Sequence, residues 1–149
     1  MTIYGLYIFD RHCNCIFYQP WNSTTSLQSD LNQKQSQEDS KLVFGVMFNL
    51  GKIIAKLNPV KTPESFITYR TDSYKLHYYE TPACLKFVLL SDIEMANTKG
   101  VLHSIFSDIY VPYVSKNPMI PFDAPINNDL FRSHLNKFIK SLPNFEPKQ

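Results

Sequence analysis

The residues best able to do chemistry are the run His12-Cys13-Asn14-Cys15, a third cysteine at Cys84, the histidines His77, His103 and His134, and the acidic pair Asp92 and Glu94. A zinc site needs about four convergent ligands, and a thiolate pair normally has a second pair elsewhere in the chain. Only Cys84 remains to complete such a set, and no His-x-x-x-His occurs. In a strand, Cys13 and Cys15 point to the same face, as small buried hydrophobes do. A Cys–His nucleophile would need a distant histidine brought close and oriented by a third group, and none of the three other histidines sits in a pattern of that kind. With 4 glycines in the whole chain there is no phosphate-cradling loop of the dinucleotide or P-loop type. Asp92 and Glu94 read as a solvated loop. The expectation is therefore no catalytic residue, no cofactor and no metal, with function residing in surfaces.

The elements that would carry those surfaces start with residues 1–21. Thr2 to Phe9 and Cys15 to Tyr18 are β-branched and aromatic runs separated by Asp10-Arg11-His12-Cys13-Asn14. Asp and Asn hydrogen-bond their own backbone and tolerate the φ values of tight turns, so this reads as a β-hairpin. Ile3, Leu6, Ile8 and Phe9 make the first strand apolar on both faces, which places it inside a sheet covered above and below.

Gln19 to Ser40 turn polar and are predicted to hold a mobile surface loop over about residues 19–38. A helix then starts around Ser36 to Lys41, with Val43, Val46, Met47, Leu50, Ile53, Ile54 and Leu57 at helical spacing and Gln37, Glu38 and Asp39 in its first turn. Asn58-Pro59 ends it. Gly45 and Gly51 inside it predict close packing against the sheet, and Leu42, Phe44 and Phe48 widen its apolar surface beyond one stripe. Such a helix either has a second protein on its outer side or is unusually buried within one domain.

Phe66 to Tyr69, Tyr74 to Tyr79 and Leu85 to Leu90 read as three further strands, the last a continuous apolar run. Val101, Leu102, Ile105, Phe106, Ile109, Tyr110, Tyr113 and Val114 predict a helix that Pro112 should kink or stop early. An extended connector follows over about residues 117–126. Leu130 to Leu142 then form a last amphipathic helix capped by Asn127 or Asn128. The order is that of one α+β domain spanning residues 1–149.

Bulk properties narrow the class further. Fifteen basic and 13 acidic residues, interspersed, give a net charge of +2 and no patch suited to nucleic acid. No apolar run reaches the eighteen or so residues of a membrane span. Met1 leads directly into a strand without a basic start or a small-residue cleavage site, which predicts no signal peptide and a cytoplasmic protein. Aromatic residues, 14% of the chain, are abundant enough to leave rings at an interface.

The stretches Ile3 to Phe17, Asp39 to Gly45, Phe87 to Asp92 and Ile109 to Pro118 resemble the small-subunit family of the TRAPP tethering complex, in the right order and over nearly the whole chain. The resemblance implies a longin-like (profilin-like) fold, a five-stranded antiparallel sheet with one helix on one face and two on the other. It also implies hetero-oligomeric assembly with other small TRAPP subunits. Their complex acts as a guanine-nucleotide exchange factor on a Rab-type GTPase in transport from the endoplasmic reticulum to the Golgi. The chain would be a non-catalytic subunit, since exchange needs only a surface that prefers the nucleotide-free GTPase. It would be cytoplasmic, peripheral to the cis-Golgi and endoplasmic reticulum, and would touch membrane only through the complex. Partner contacts are expected from exposed parts of the hairpin turn, Arg11 and His12, and of the segment carrying Tyr110, Tyr113, Asn117 and Pro118. Another longin-like trafficking module, such as a clathrin-adaptor small subunit, would share the layout. A small thiol enzyme using Cys15 or Cys84 would reveal itself by inactivation on alkylation.

Overall fold

The computed structural model describes residues 2–21, 31–57, 60 and 65–143. Strands β1 (Ile3–Phe9), β2 (Cys15–Pro20), β3 (Ser65–Arg70), β4 (Lys75–Glu80) and β5 (Lys86–Ser91) form one sheet in the order β2-β1-β5-β4-β3. Every neighbouring pair is antiparallel. As its two apolar faces require, β1 is interior, with Leu6 opposite Gln19 of β2 on one side and Leu89 of β5 on the other. Its alternation divides the core. Leu6 and Ile8 join Phe87 and Leu89 beneath one helical layer, while Tyr7 and Phe9 join Val88, Leu76 and Tyr78 on the opposite face.

The second face is covered by helix α1 (Leu31–Leu57), which inserts fully buried Met47 between the rings. The first face is covered by helix α2 (Thr98–Ser104), its continuation Ile105–Ser115, and helix α3 (Asp129–Ser141). One helix on one face and two helical elements on the other is the expected α+β, longin-like arrangement.

Two turns at the same end of the sheet are built alike. In the first, the Asp10 N–H bonds the Asn14 carbonyl at 3.0 Å, and Cys13 closes a tighter turn onto Asp10 at 3.1 Å with φ 69°. In the second, Thr81 bonds Leu85 and Cys84 bonds Thr81, both at 2.9 Å, with Cys84 at φ 60°. Each is a three-residue loop whose last member turns left-handed so that the strands keep their twist. The Asp10 carboxylate and the Thr81 hydroxyl lock the loops by accepting the Asn14 and Leu85 N–H groups.

Several expectations are corrected. The loop placed at 19–38 is shorter: Gln19 and Pro20 belong to β2 and residues 31–38 to α1, while 22–30 lie outside the described residues. Leu, Gln, Lys and Glu are good helix formers, so a largely polar composition here is as compatible with a helix start as with a loop. Glu38 and Asp39 consequently lie two turns into α1, not at its positive end. Gly45 and Gly51 do not mark a close approach, because a Cβ on either would meet nothing within 4 Å.

Pro112 does not stop its helix. From Ile105 to Ser115 the winding is π-helical, and the last turn closes from the Lys116 N–H to the Val111 carbonyl, five residues back, at 2.9 Å. The buried residues Ile105, Ile109, Tyr110 and Val114 are spaced 4, 1 and 4, which puts them on one face only when each turn holds between four and five residues. In an α-helix the same four would spread over about half the circumference. The connector is not extended either. It turns at Asn117–Ile120, takes φ 59° at Asp123, and is pinned to β2 by the Ile126 N–H bonding the Ile16 carbonyl at 2.8 Å. Helix α3 starts as predicted, with the Asn128 side chain accepting from Leu130 and Phe131. It then buries Phe131, Leu135 and Ile139 at four-residue intervals.

Candidate interaction surface

The loop of the first hairpin and the connector meet at one ion-pair cluster. Arg11 places its Nε and a terminal nitrogen 2.9 Å from one Asp123 oxygen, and His12 Nε2 lies 3.5 Å from the same oxygen. Arg11 and His12 remain 61% and 63% exposed, so the cluster is available to a partner. Asp123, which joins the two segments, is the member that sequence reading missed; its only local signal is a short polar residue able to adopt positive φ in a turn-rich stretch.

The remaining expected contacts separate. Pro118 is exposed, and Asn117 is half-buried with its side chain accepting the Met119 N–H at 3.0 Å. Tyr113 is half-buried and stacks on His134 at 4.3 Å. Tyr110 is corrected: it is 8% exposed, its ring edge-on to Phe87 and Phe131, and it belongs to the core. It shares the buried face of the π-helical segment with Ile105, Ile109 and Val114, so the contact that the resemblance led one to expect is not open at this residue.

A second surface runs along α1. Leu42, Val46, Ile53 and Leu57 are 70%, 52%, 54% and 77% exposed. At 3.6 residues per turn they fall within about 60° of one another, on a flank about 110° round the helix from Met47. Phe48 adds a further exposed ring on another flank, covered in part by the Lys52 ammonium 4.2 Å from its centre. At the sheet edge beside this layer, Tyr69 and Tyr74 are also exposed. Of the two outcomes open for an all-round apolar helix, exposure is the one observed.

Groups with chemical potential are closed off. His77 Nε2 lies 2.8 Å from the Ser91 hydroxyl, a distance at which a base could activate a nucleophile, but the residues are 2% and 0% exposed. Burial pushes the Cys15 thiol up from its ordinary pKa, the opposite of an activated cysteine. Burial likewise keeps the Tyr7 and Tyr78 phenols protonated, with the Tyr18 and Glu80 side chains adding to the effect. Among the described residues no three Cys, His, Asp or Glu side chains converge as metal ligands, and no helix is long and apolar enough to cross a membrane.

A family model for Sybindin-like proteins matches residues 3–142, taking in all five strands and all three helices. The chain belongs to the Sybindin-like family. Among curated proteins, the chain is 36% identical to human trafficking protein particle complex subunit 1, over 99% of both chains. It is 41% identical to the trafficking protein particle complex subunit BET5 of Saccharomyces cerevisiae, over 89% of this chain and 84% of that one. A more distant relative, trafficking protein particle complex subunit 4 of Dictyostelium discoideum, is 28% identical over 93% of this chain and 97% of its own length. Two differently numbered subunits of such complexes thus resemble this one chain along almost their whole lengths.

Proposed function

We propose that this chain is a single longin-like domain serving as a core subunit of a TRAPP-type tethering complex. The observation that carries the reading is the end-to-end similarity to proteins named as subunit 1 of the trafficking protein particle complex. The apolar row on α1 supports it, because a contiguous apolar surface of this kind is what an obligate partner covers. Other small subunits of the complex are the partners, and the chain is non-catalytic. Its share in activity is to help form the surface on which a Rab-type GTPase exchanges nucleotide, during transport from the endoplasmic reticulum to the Golgi. Preference for the nucleotide-free form is sufficient for that and calls for no covalent step. The protein works in the cytoplasm and reaches the cis-Golgi and endoplasmic reticulum peripherally, through the complex. Arg11, His12, Tyr113, Asn117 and Pro118 are its candidate contact residues.

The test is to tag the chain in its own cells, purify it gently and identify what accompanies it in stoichiometric amount. Other small TRAPP subunits are expected. Adaptor subunits, or no companion, would overturn the function while leaving the fold intact. Val46→Glu with Ile53→Glu should abolish co-purification without unfolding the chain. In the purified complex, Arg11→Glu is expected to slow nucleotide release from the Rab; full assembly and full exchange with that variant would remove Arg11 from the contact set.

A further inference from the structure

The hairpin turn at Arg11, the β4–β5 turn at Ala83, the π-helical segment and the connector border a cavity of about 280 Å³. Its lining is mostly apolar, with Ile16, Leu85, Phe106, Val114 and Ile120 among the walls. Ligand pockets run from roughly 300 to 1,000 Å³, so this one has room for a single bulky group and little more. Phe122 also lines it yet is 87% exposed, and Met119 in the same connector is 86% exposed. They are the barest large apolar side chains among the described residues, and they stand beside a hollow rather than on an open face. A hollow with a bare apolar rim is the form of a site that takes an anchoring side chain, the rim closing round it to exclude water. A flat lipid surface would meet the rim without filling the hollow.

Charge at the mouth narrows the occupant. Arg11, Ser115 and Asp123 are the polar members of the lining nearest to solvent, and Lys116 is exposed next to Ser115. Asp123 is already matched, with Arg11 at 2.9 Å and His12 at 3.5 Å from one of its oxygens. Asp10, beneath the turn, is fully buried and its carboxylate accepts from Asn14. Arg11 spends its Nε and one terminal nitrogen on Asp123, which leaves the other terminal nitrogen unpaired among the described residues. Lys116 has no ion pair among them either. The mouth therefore offers cationic donors and no open carboxylate.

We infer that the cavity receives a large apolar side chain of a partner protein, one flanked in its own chain by carboxylates that meet Lys116 and the open Arg11 nitrogen. This rests on the reading of the chain as a subunit of an assembly and names the feature by which one neighbour is held.

Phe122→p-benzoylphenylalanine puts a photo-crosslinker at the rim of the tagged chain, and the crosslink is read by mass spectrometry in the purified complex. It should fall on one segment of a co-purifying subunit, at or beside a large apolar residue with Asp or Glu close to it in sequence. Ala124→Leu, which narrows the cavity from the connector, should abolish that crosslink. Lys116→Glu, at an exposed position where folding is not at stake, should lower its yield about fivefold, as reversal of a rim charge does. A crosslink to lipid, to a basic segment or to no other chain while the small subunits still co-purify would overturn the inference and leave the subunit reading standing. So would a crosslink indifferent to both Ala124→Leu and Lys116→Glu. Absence of every companion would overturn both readings together.

Discussion

His77 should make this protein acid-sensitive well above the range in which carboxylates titrate. Its Nδ1 lies 3.1 Å from the Thr68 hydroxyl and its Nε2 2.8 Å from that of Ser91, whose own hydrogen is donated to the Asp92 carbonyl. Ser91 must then accept, which puts the imidazole proton on Nε2 and leaves Nδ1 to accept from Thr68. The ring is thus satisfied as a neutral species, 2% exposed and stacked on Phe66. Burial, helped by the Lys75 charge, lowers its pKa from 6.5 to about 4. Above pH 6.5 folded and unfolded chains are both neutral here and the group does not affect stability. As pH falls below 6.5 the unfolded chain takes up a proton that the folded chain refuses, so stability is lost progressively until the folded pKa is reached. At about 1.36 kcal/mol per pKa unit the full loss is a little over ~3 kcal/mol, and about 2.5 kcal/mol of it is present by pH 4.5. In urea titrations followed by circular dichroism this would move the midpoint down by roughly 1–2 M between pH 7.5 and 4.5. His77→Gln will cost stability at pH 7.5, yet its midpoint should change far less between the two pH values, and the difference of differences isolates the histidine. If wild type and variant lose stability in parallel, the neutral buried imidazole is not the cause.

Three further outcomes can be read by equilibrium unfolding. Phe131→Ala removes a fully buried ring that sits edge-on to Phe17 at 4.9 Å, and should cost about 3–5 kcal/mol. Asn128→Ala removes the cap of α3 and a 3.0 Å bond to the Tyr113 carbonyl, for a loss of about 1–2 kcal/mol; no loss would mean that the cap is replaced by water. Gly45→Ala has open space for its methyl and should raise stability by about 1 kcal/mol, an outcome that close packing of α1 would reverse.

Most of the layout was legible because alternation and helical spacing follow directly from which faces are buried. The hairpin at Asp10–Asn14, the interior position of β1 and the Asn128 cap could all be read from residue types. What was not legible depended on contacts distant in sequence or on an unusual winding. The start of α1 was hidden because Gln and Lys serve a helix and a loop equally well. Residues 105–115 present an apolar pattern compatible with either 3.6 or more than four residues per turn, and only packing against the sheet selects the second. Asp123 and Arg11 are 112 residues apart, and nothing local to either announces the pair. His77 alternates with Leu76 and Tyr78 as an exposed strand residue would, yet both faces of β4 are covered, so it is buried.

The row of Leu42, Val46, Ile53 and Leu57 also bears on how long the chain survives when it is alone. Newly made copies that outnumber their partners would display four large aliphatic groups on a folded helix, the kind of surface that chaperones hold and degradation machinery selects. The abundance of this protein is then set less by its own synthesis than by the supply of whatever covers that helix, and cells depleted of the partner should lose this chain as well.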